Sequence, residues 1–366
     1  QLLLLVREWA QHPNGQLQAY EWDFGDVNPP VHAWAAWHVH QLDGGTDRAF
    51  LVRIFTKLMF NFSWWLNRKD SDGSNLFEGG FLGMDNISVF DRSRDVPQGW
   101  RLEQSDATSW MAFTSLSMLR IALELSREDQ AFDGLATTFL EHFLSVAEAM
   151  ETFGTDDVSL WDEADGFFYD VLVGPDGHSE PVRLRSLVGL LPLIAVAHAP
   201  DWITRELPDF VARLRWLQRR RPDLTDAMVT TRAEGQVVTS LAPLTAARAQ
   251  ALMARLFDEG EFLGPHGIRS LSAAYRGGVT LDVAGVSMSV AYDPGESTTN
   301  LFGGNSNWRG PVWFPINVLL IDGLRGHARA AGGSAEVEYP TGSGRTRGLG
   351  EVADDLEQRL VSLFRP

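Results

Sequence analysis

Leu102-Glu103-Gln104-Ser105-Asp106-Ala107-Thr108-Ser109-Trp110 is the stretch from which the fold can be read. Its short polar side chains suit the start of a helix, where serine, threonine and aspartate accept from the unpaired N–H groups of the first turn. The apolar spacing behind them predicts a long helix to about residue 127, and a second long helix covers 131–152. Long consecutive helices joined by a short break pack antiparallel.

The pattern extends both ways. Phe50, Leu51, Ile54, Phe55, Leu58, Met59, Phe62 and Trp65 carry helical spacing over 47–67. Asn28-Pro29-Pro30 launches the helix before it, with proline suited to a first turn, and residues 1–10 form another. Further helices are expected over 183–197 (apolar all round, hence buried), 202–219, 245–257, 312–330 and 350–364, with one more near 223–232. Residues 161–171 alternate around a turn and predict a small β-hairpin, while 258–308 reads as irregular. Roughly ten helices with almost no strand fit a bundle, a solenoid or a closed α/α toroid. No short repeat period supports the solenoid. Loops rich in Gly, Trp and Asp recur after alternate helices, and a toroid would gather them on one functional face.

Composition bounds the chemistry. The 366 residues are 44% hydrophobic and 22% charged, enough for a sizeable core. A formal charge of −17 argues against nucleic acid and against an anionic membrane, leaving a neutral small molecule as the natural partner. Oligomeric state is not legible. Cysteine is absent, so no thiolate nucleophile, thiolate metal site or disulfide exists. Asp70-Ser71-Asp72-Gly73-Ser74-Asn75 begins like a calcium loop but lacks its spacing, and His32 and His38, six apart, share no helix face. No cofactor or metal is expected. The apolar run Leu2-Leu3-Leu4-Leu5-Val6 is too short to span a bilayer. Both termini read as cuts through a longer protein.

Three features carry chemistry. Gly79-Gly80-Phe81-Leu82-Gly83-Met84-Asp85-Asn86 holds one carboxylate on a glycine-rich loop, where three glycines permit tight bending and close ligand approach. Apolar neighbours would raise the pKa of Asp85, as protonation of a leaving oxygen requires, although an Asp here can also simply cap a turn. Other acids lie in turn-rich loops: Glu21, Asp23, Asp26, Asp91, Glu103, Asp106, Asp162 and Glu163. Several of the 13 tryptophans sit beside them, including Trp22, Trp100, Trp110, Trp161, Trp308 and Trp313, where rings could stack on sugars. Trp9, Trp65 and Trp202 are expected in the core. Asn305, Asn307 and Arg309 add fixed donors around Trp308.

Gly83-Met84-Asp85-Asn86, Glu103-Gln104-Ser105-Asp106, Leu160-Trp161-Asp162-Glu163 with Gly166-Phe167-Phe168-Tyr169-Asp170, and Asn307-Trp308-Arg309-Gly310-Pro311-Val312-Trp313 together resemble glycoside hydrolase family 63. That family includes processing α-glucosidases and bacterial mannosylglycerate and glucosylglycerate hydrolases. The resemblance runs over essentially 1–366 and implies one all-α domain, a six-hairpin α/α toroid incomplete at both ends, that inverts an α-linked glucoside or mannoside. It makes Asp85 the general acid. Trp22, Asp23, Phe81, Asn86, Gln104, Asp106, Trp161, Asn307, Trp308 and Arg309 would then bind substrate. The family's general base, a Glu in a later aromatic-Glu-x-aromatic segment, has no match; Glu338-Tyr339-Pro340 is only an echo, so the base is expected beyond Pro366. A non-catalytic sugar-binding toroid and a helical scaffold for protein partners are the competing readings. Asn61-Phe62-Ser63 and Asn86-Ile87-Ser88 match glycosylation sites, but a glycan at Asn86 would block the pocket; with the lack of cysteine, this leans towards a cytoplasmic setting.

Overall fold

The computed structural model describes residues 1–7, 9–19, 24, 27–67, 84, 86–92, 95–151, 159–199, 201–221, 227–233, 236–295, 298–302, 311–333 and 335–365. In chain order it holds α1 (Leu2–Leu5), α2 (His32–Leu42), α3 (Arg48–Leu66), β1 (Arg101–Glu103), α4 (Ser105–Ser126) and α5 (Ala131–Glu151). Then come β2 (Trp161–Asp162), β3 (Phe167–Phe168), β4 (Asp170–Val173), β5 (Ser179–Val182), a 3-10 segment (Leu187–Ile194), β6 (Ala197–Ala199), α6 (Ile203–Glu206) and α7 (Pro208–Arg220). The remainder is β7 (Met228–Ala233), β8 (Gln236–Leu241), α8 (Ala246–Leu256), β9 (Leu263–Gly264), β10 (Gly267–Ile268), β11 (Val279–Val283), β12 (Val286–Val290), α9 (Phe314–Ala330), β13 (Glu336–Glu338), β14 (Thr346–Gly348) and α10 (Leu349–Val361). No helix among the described residues is long and apolar enough to cross a membrane.

Helix α4 is the central rod. It packs against α2, α3, α5 and the 3-10 segment, and nearly all of its residues are buried. So polar a sequence tolerates this because most of its hydroxyls are bonded: Thr108, Ser109, Ser117 and Ser126 each donate to the carbonyl four residues back, at 2.6–2.8 Å, and Thr114 donates to the Pro30 carbonyl at 3.2 Å. Helix α9 closes on the 3-10 segment through glycines. A Cβ on Gly323 would lie 2.4 Å from the Leu193 carbonyl oxygen, and one on Gly326 would meet Val196. Helix starts follow local chemistry, with Asp47 capping α3 through the Phe50 N–H at 2.8 Å and Thr245 capping α8.

The helix-rich expectation holds, and the β-hairpin over 161–171 is the antiparallel pair β2–β3. Other expectations fail. The span 183–197 is not an α-helix: Pro192 breaks the α ladder, and Gly189 presses on the Phe168 carbonyl, where a Cβ would come within 2.2 Å. Of the helix expected near 223–232, residues 223–226 lie outside the described residues and the remainder, from Met228, forms strand β7, whose β-branched Val229, Thr230 and Thr231 favour an extended chain paired to β8. The described residues of the span 258–308 contain two hairpins; Ala284 and Gly285, both at positive φ, turn β11 into β12 as an I′ turn does. The chain over 202–219 breaks at Leu207, since the residue before proline avoids the helical region. The helix expected over 1–10 stops at Leu5, which leaves Trp9 66% exposed rather than in the core. Strand content exceeds what periodicity indicates, because short hairpins carry too few residues for a period to register.

Candidate active site

Three segments meet where β1 runs into α4. The first is the loop through Met84 and Asn86 to Arg92, whose Met84, Ile87, Val89 and Phe90 are buried. The second is the first turn of α4, held by the β1–β4–β5 sheet. The third is Asp170 at the start of β4. A cation in so apolar a place must be compensated, and Arg92 is. Its Nε and Nη2 donate to the Met84 carbonyl at 3.2 and 2.5 Å. Nη1 and Nη2 grip both Asp106 oxygens at 2.7 and 2.8 Å, and Nη1 also reaches Asp170 at 3.0 Å. All five guanidinium hydrogens are thereby used. The other Asp170 oxygen accepts from the Ser105 N–H at 2.9 Å, fixing the start of α4.

Burial raises the Asp170 carboxyl to about 6; Arg92 opposes this and the Asp106 charge reinforces it. Burial works against the charge on Arg92 as well, but the two carboxylates hold it above its usual value. The cluster is one cation shared by two anions, and it carries net negative charge when both acids are ionised.

On the far side of Asp85 in sequence, the Asn86 amide donates to the Asn300 carbonyl at 2.7 Å, and the Asn86 carbonyl accepts from the Phe302 N–H at 3.1 Å. Met84 and Asn86, the two neighbours of Asp85, are thus each tied to a separate part of the fold.

A cavity of about 460 Å³ lies between the N-terminal parts of α2 and α9 and the end of α3, bounded by His32, Asn61, Trp64, Trp65, Trp110 and Ile316 among others. Ala19 and Val27, which flank Trp22-Asp23 in sequence, line it, as does Pro315, soon after the Asn307-Trp308-Arg309 motif. Its walls are mostly apolar. His32 Nδ1 and Trp110 Nε1 are buried beside it with no hydrogen-bond partner among the described residues. Burial lowers His32 to about 4, so the ring is neutral.

Of the residues singled out in the sequence, Asp85, Glu21, Trp22, Asp23, Asp26, Phe81, Asn305, Asn307, Trp308 and Arg309 lie outside the described residues, as does the 70–75 loop. Asn86 is 8% exposed with its amide already committed to the backbone. Gln104 is wholly buried at the strand–helix junction, and its carbonyl takes the Thr108 hydroxyl. Asp106 is wholly buried, both oxygens on Arg92. Trp161 is buried with the Arg248 guanidinium 5.1 Å from its ring centre. Trp110 and Trp313 are fully buried, so sugar stacking, one of the two roles open to them, gives way to packing. Asp162 fastens its own hairpin, accepting from Ala164 and Asp165 N–H groups and from Arg183. Glu338 turns to the Gly344 N–H of the β13–β14 connection. Sequence inspection missed Arg92 and gave Asp170 no role. An Arg close behind the apolar Ile87, Val89 and Phe90 was the available signal.

The comparisons agree with this architecture. A family model described as the mannosylglycerate hydrolase MGH1-like glycoside hydrolase domain matches residues 9–202. The Saccharomyces cerevisiae uncharacterized protein YMR196W is 45% identical over 384 residues, an alignment covering 100% of this chain and 35% of that protein. The chain thus spans about a third of the length of this curated relative. In fold it is similar to a GH63 mannosylglycerate hydrolase from Thermus thermophilus in complex with Tris (TM-score 0.51, 15% identity, 100% of this chain, 79% of that one). The same enzyme in complex with Tris and D-glycerate gives TM-score 0.51 at 16% identity over 99% of this chain and 79% of that one. With the family model matching more than half of its length, the chain belongs to the mannosylglycerate hydrolase MGH1-like glycoside hydrolase family.

Proposed function

We propose that the protein is a glycosidase that inverts an α-linked glucoside or mannoside, of oligosaccharide or glycosyl-glycerate type, with Asp85 as general acid. The helices form part of a six-hairpin α/α toroid. The observation that carries the reading is the double anchorage around Asp85. Met84 is gripped by Arg92 and Asn86 is stapled to 300–302, which is how a loop bearing a catalytic group is kept in register. Trp308 and Arg309 would hold the cleaved sugar, with Trp22, Asp23, Phe81 and Asn307 around them, and Asn86, Gln104, Asp106 and Trp161 would support that pocket from behind. An inverting mechanism needs a general base about 6.5–9.5 Å from the acid, so that a water fits between them. A cytoplasmic setting accords with both glycosylation sequons being buried, Asn61 with its amide on the Gly15 carbonyl and Asn86 as described.

The test uses the full-length protein with 2-O-α-mannosyl- and 2-O-α-glucosyl-D-glycerate and α-linked oligosaccharides. Proton NMR should show the β-anomer of the released sugar forming first, and Asp85→Asn should abolish turnover with substrate binding kept. Release of the α-anomer, or full turnover by the variant, refutes the assignment. Binding without turnover would favour a sugar-binding toroid.

A further inference from the structure

Arg92 does more for this loop than fill a buried space. Every one of its N–H groups is spent: two on the carbonyl of Met84, two on Asp106 and one on Asp170. The carbonyl belongs to the residue immediately before Asp85. Asp106 belongs to the first turn of α4, and Asp170 belongs to the strand that also pins the N–H of Ser105. One planar cation therefore ties the Met84 carbonyl to two rigid elements, α4 and the β1–β4–β5 sheet.

We infer that Arg92 is a positioning residue for general acid catalysis, acting through the Met84 carbonyl to aim the Asp85 segment. The inference rests on the reading of Asp85 as acid. Only an arginine suits the position: its rigid fork serves a carbonyl on one edge and a carboxylate on the other, whereas lysine offers three donors from a single point. Loss of this grip leaves the acid present but displaced, and a displacement of about 1 Å can cost roughly a hundredfold in rate. The cost depends on the leaving group. An alkoxide leaving group must be protonated as the bond breaks, while fluoride departs without that help.

The experiment compares kcat/KM of wild type, Arg92→Lys, Asp106→Asn and Asp85→Asn in the full-length protein. Substrates are 2-O-α-mannosyl- and 2-O-α-glucosyl-D-glycerate against α-mannosyl and α-glucosyl fluoride, with folding followed by thermal melting. Arg92→Lys should lose about a hundredfold on the glycerate glycoside and only a few-fold on the matching fluoride. Asp106→Asn, which keeps shape but loosens one edge of the fork, should show the same split to a smaller degree, and it decides the matter if Arg92→Lys does not fold. Equal losses on both substrate types, or none, overturn the positioning role. Asp85→Asn separates the two claims. If it shows the split while the Arg92 and Asp106 variants do not, the positioning role alone fails; if it shows no split, the acid assignment itself fails.

Discussion

Acidification should destabilise this protein in part through two histidines far from the proposed site. His198 on β6 and His327 on α9 lie where the 3-10 segment, α4 and α9 meet, near Arg120 and Arg329. Burial lowers both rings to about 4, and for His198 the Arg329, Arg120 and His327 charges add to the effect. His198 Nδ1 is 2.9 Å from the Ser240 hydroxyl, and His327 Nε2 is 3.2 Å from the Leu193 carbonyl. A ring that titrates near 6.5 when unfolded and near 4 when folded binds fewer protons in the native state across that window. Stability therefore falls as pH drops from 6.5 towards 4. At pH 5 each ring costs about 2 kcal/mol, and partial exposure and coupling bring the pair to about 2–4 kcal/mol. With an unfolding entropy near 0.8 kcal/mol/K for a chain of this size, that is a fall in Tm of about 3–5 °C between pH 7 and pH 5. The assay is calorimetry against pH on wild type and His198→Gln/His327→Gln, whose amides can keep both hydrogen bonds while removing the titration. The difference in slope isolates these rings from Asp170 and His38, whose raised pKa values act in the opposite sense. Parallel Tm–pH curves for the two proteins would refute the argument.

Other perturbations give distinct outcomes. Gly323→Ala should destabilise by about 1–3 kcal/mol in urea titrations despite alanine's better helix propensity, because its Cβ would sit 2.4 Å from the Leu193 carbonyl oxygen and 3.0 Å from Ile194 Cα. Arg92→Met leaves Asp106 and Asp170 buried together without a cation and should cost about 3–5 kcal/mol at pH 7, measured the same way. Asp170→Asn should instead flatten the pH profile. A carboxyl raised to about 6 loses stability as pH rises from 3.8 through 6, so the variant should gain about 1 kcal/mol on wild type between pH 5 and pH 7. Thr245→Ala removes the cap of α8 and should cost about 1 kcal/mol in chemical denaturation.

The sequence by itself determined the elements that are long and local. Helices α3, α4, α5, α8 and α9 fall within a few residues of the apolar periodicity that announces them, and their caps at Asp47 and Thr245 are single side chains acting three residues ahead. The β2–β3 turn was legible for the same reason. Short strands were not, since β9, β10, β13 and β14 owe their existence to pairing rather than to intrinsic preference. Nor could the 3-10 course of Leu187–Ile194 be read, because it depends on how closely Gly189 approaches Phe168. Around Asp85, motif and composition pointed to a loop that the fold anchors on both sides, yet they took Asp106 and Asn86 for ligand contacts. Only the tertiary structure shows that Asp106 belongs to Arg92, 14 residues earlier, and that Arg92 also needs Asp170, 78 residues later. Asn86 needs Asn300, 214 residues away. Periodicity reports which face of an element is buried, but the partner that neutralises a buried charge is chosen by the packing of elements distant in sequence, and that choice leaves no local trace.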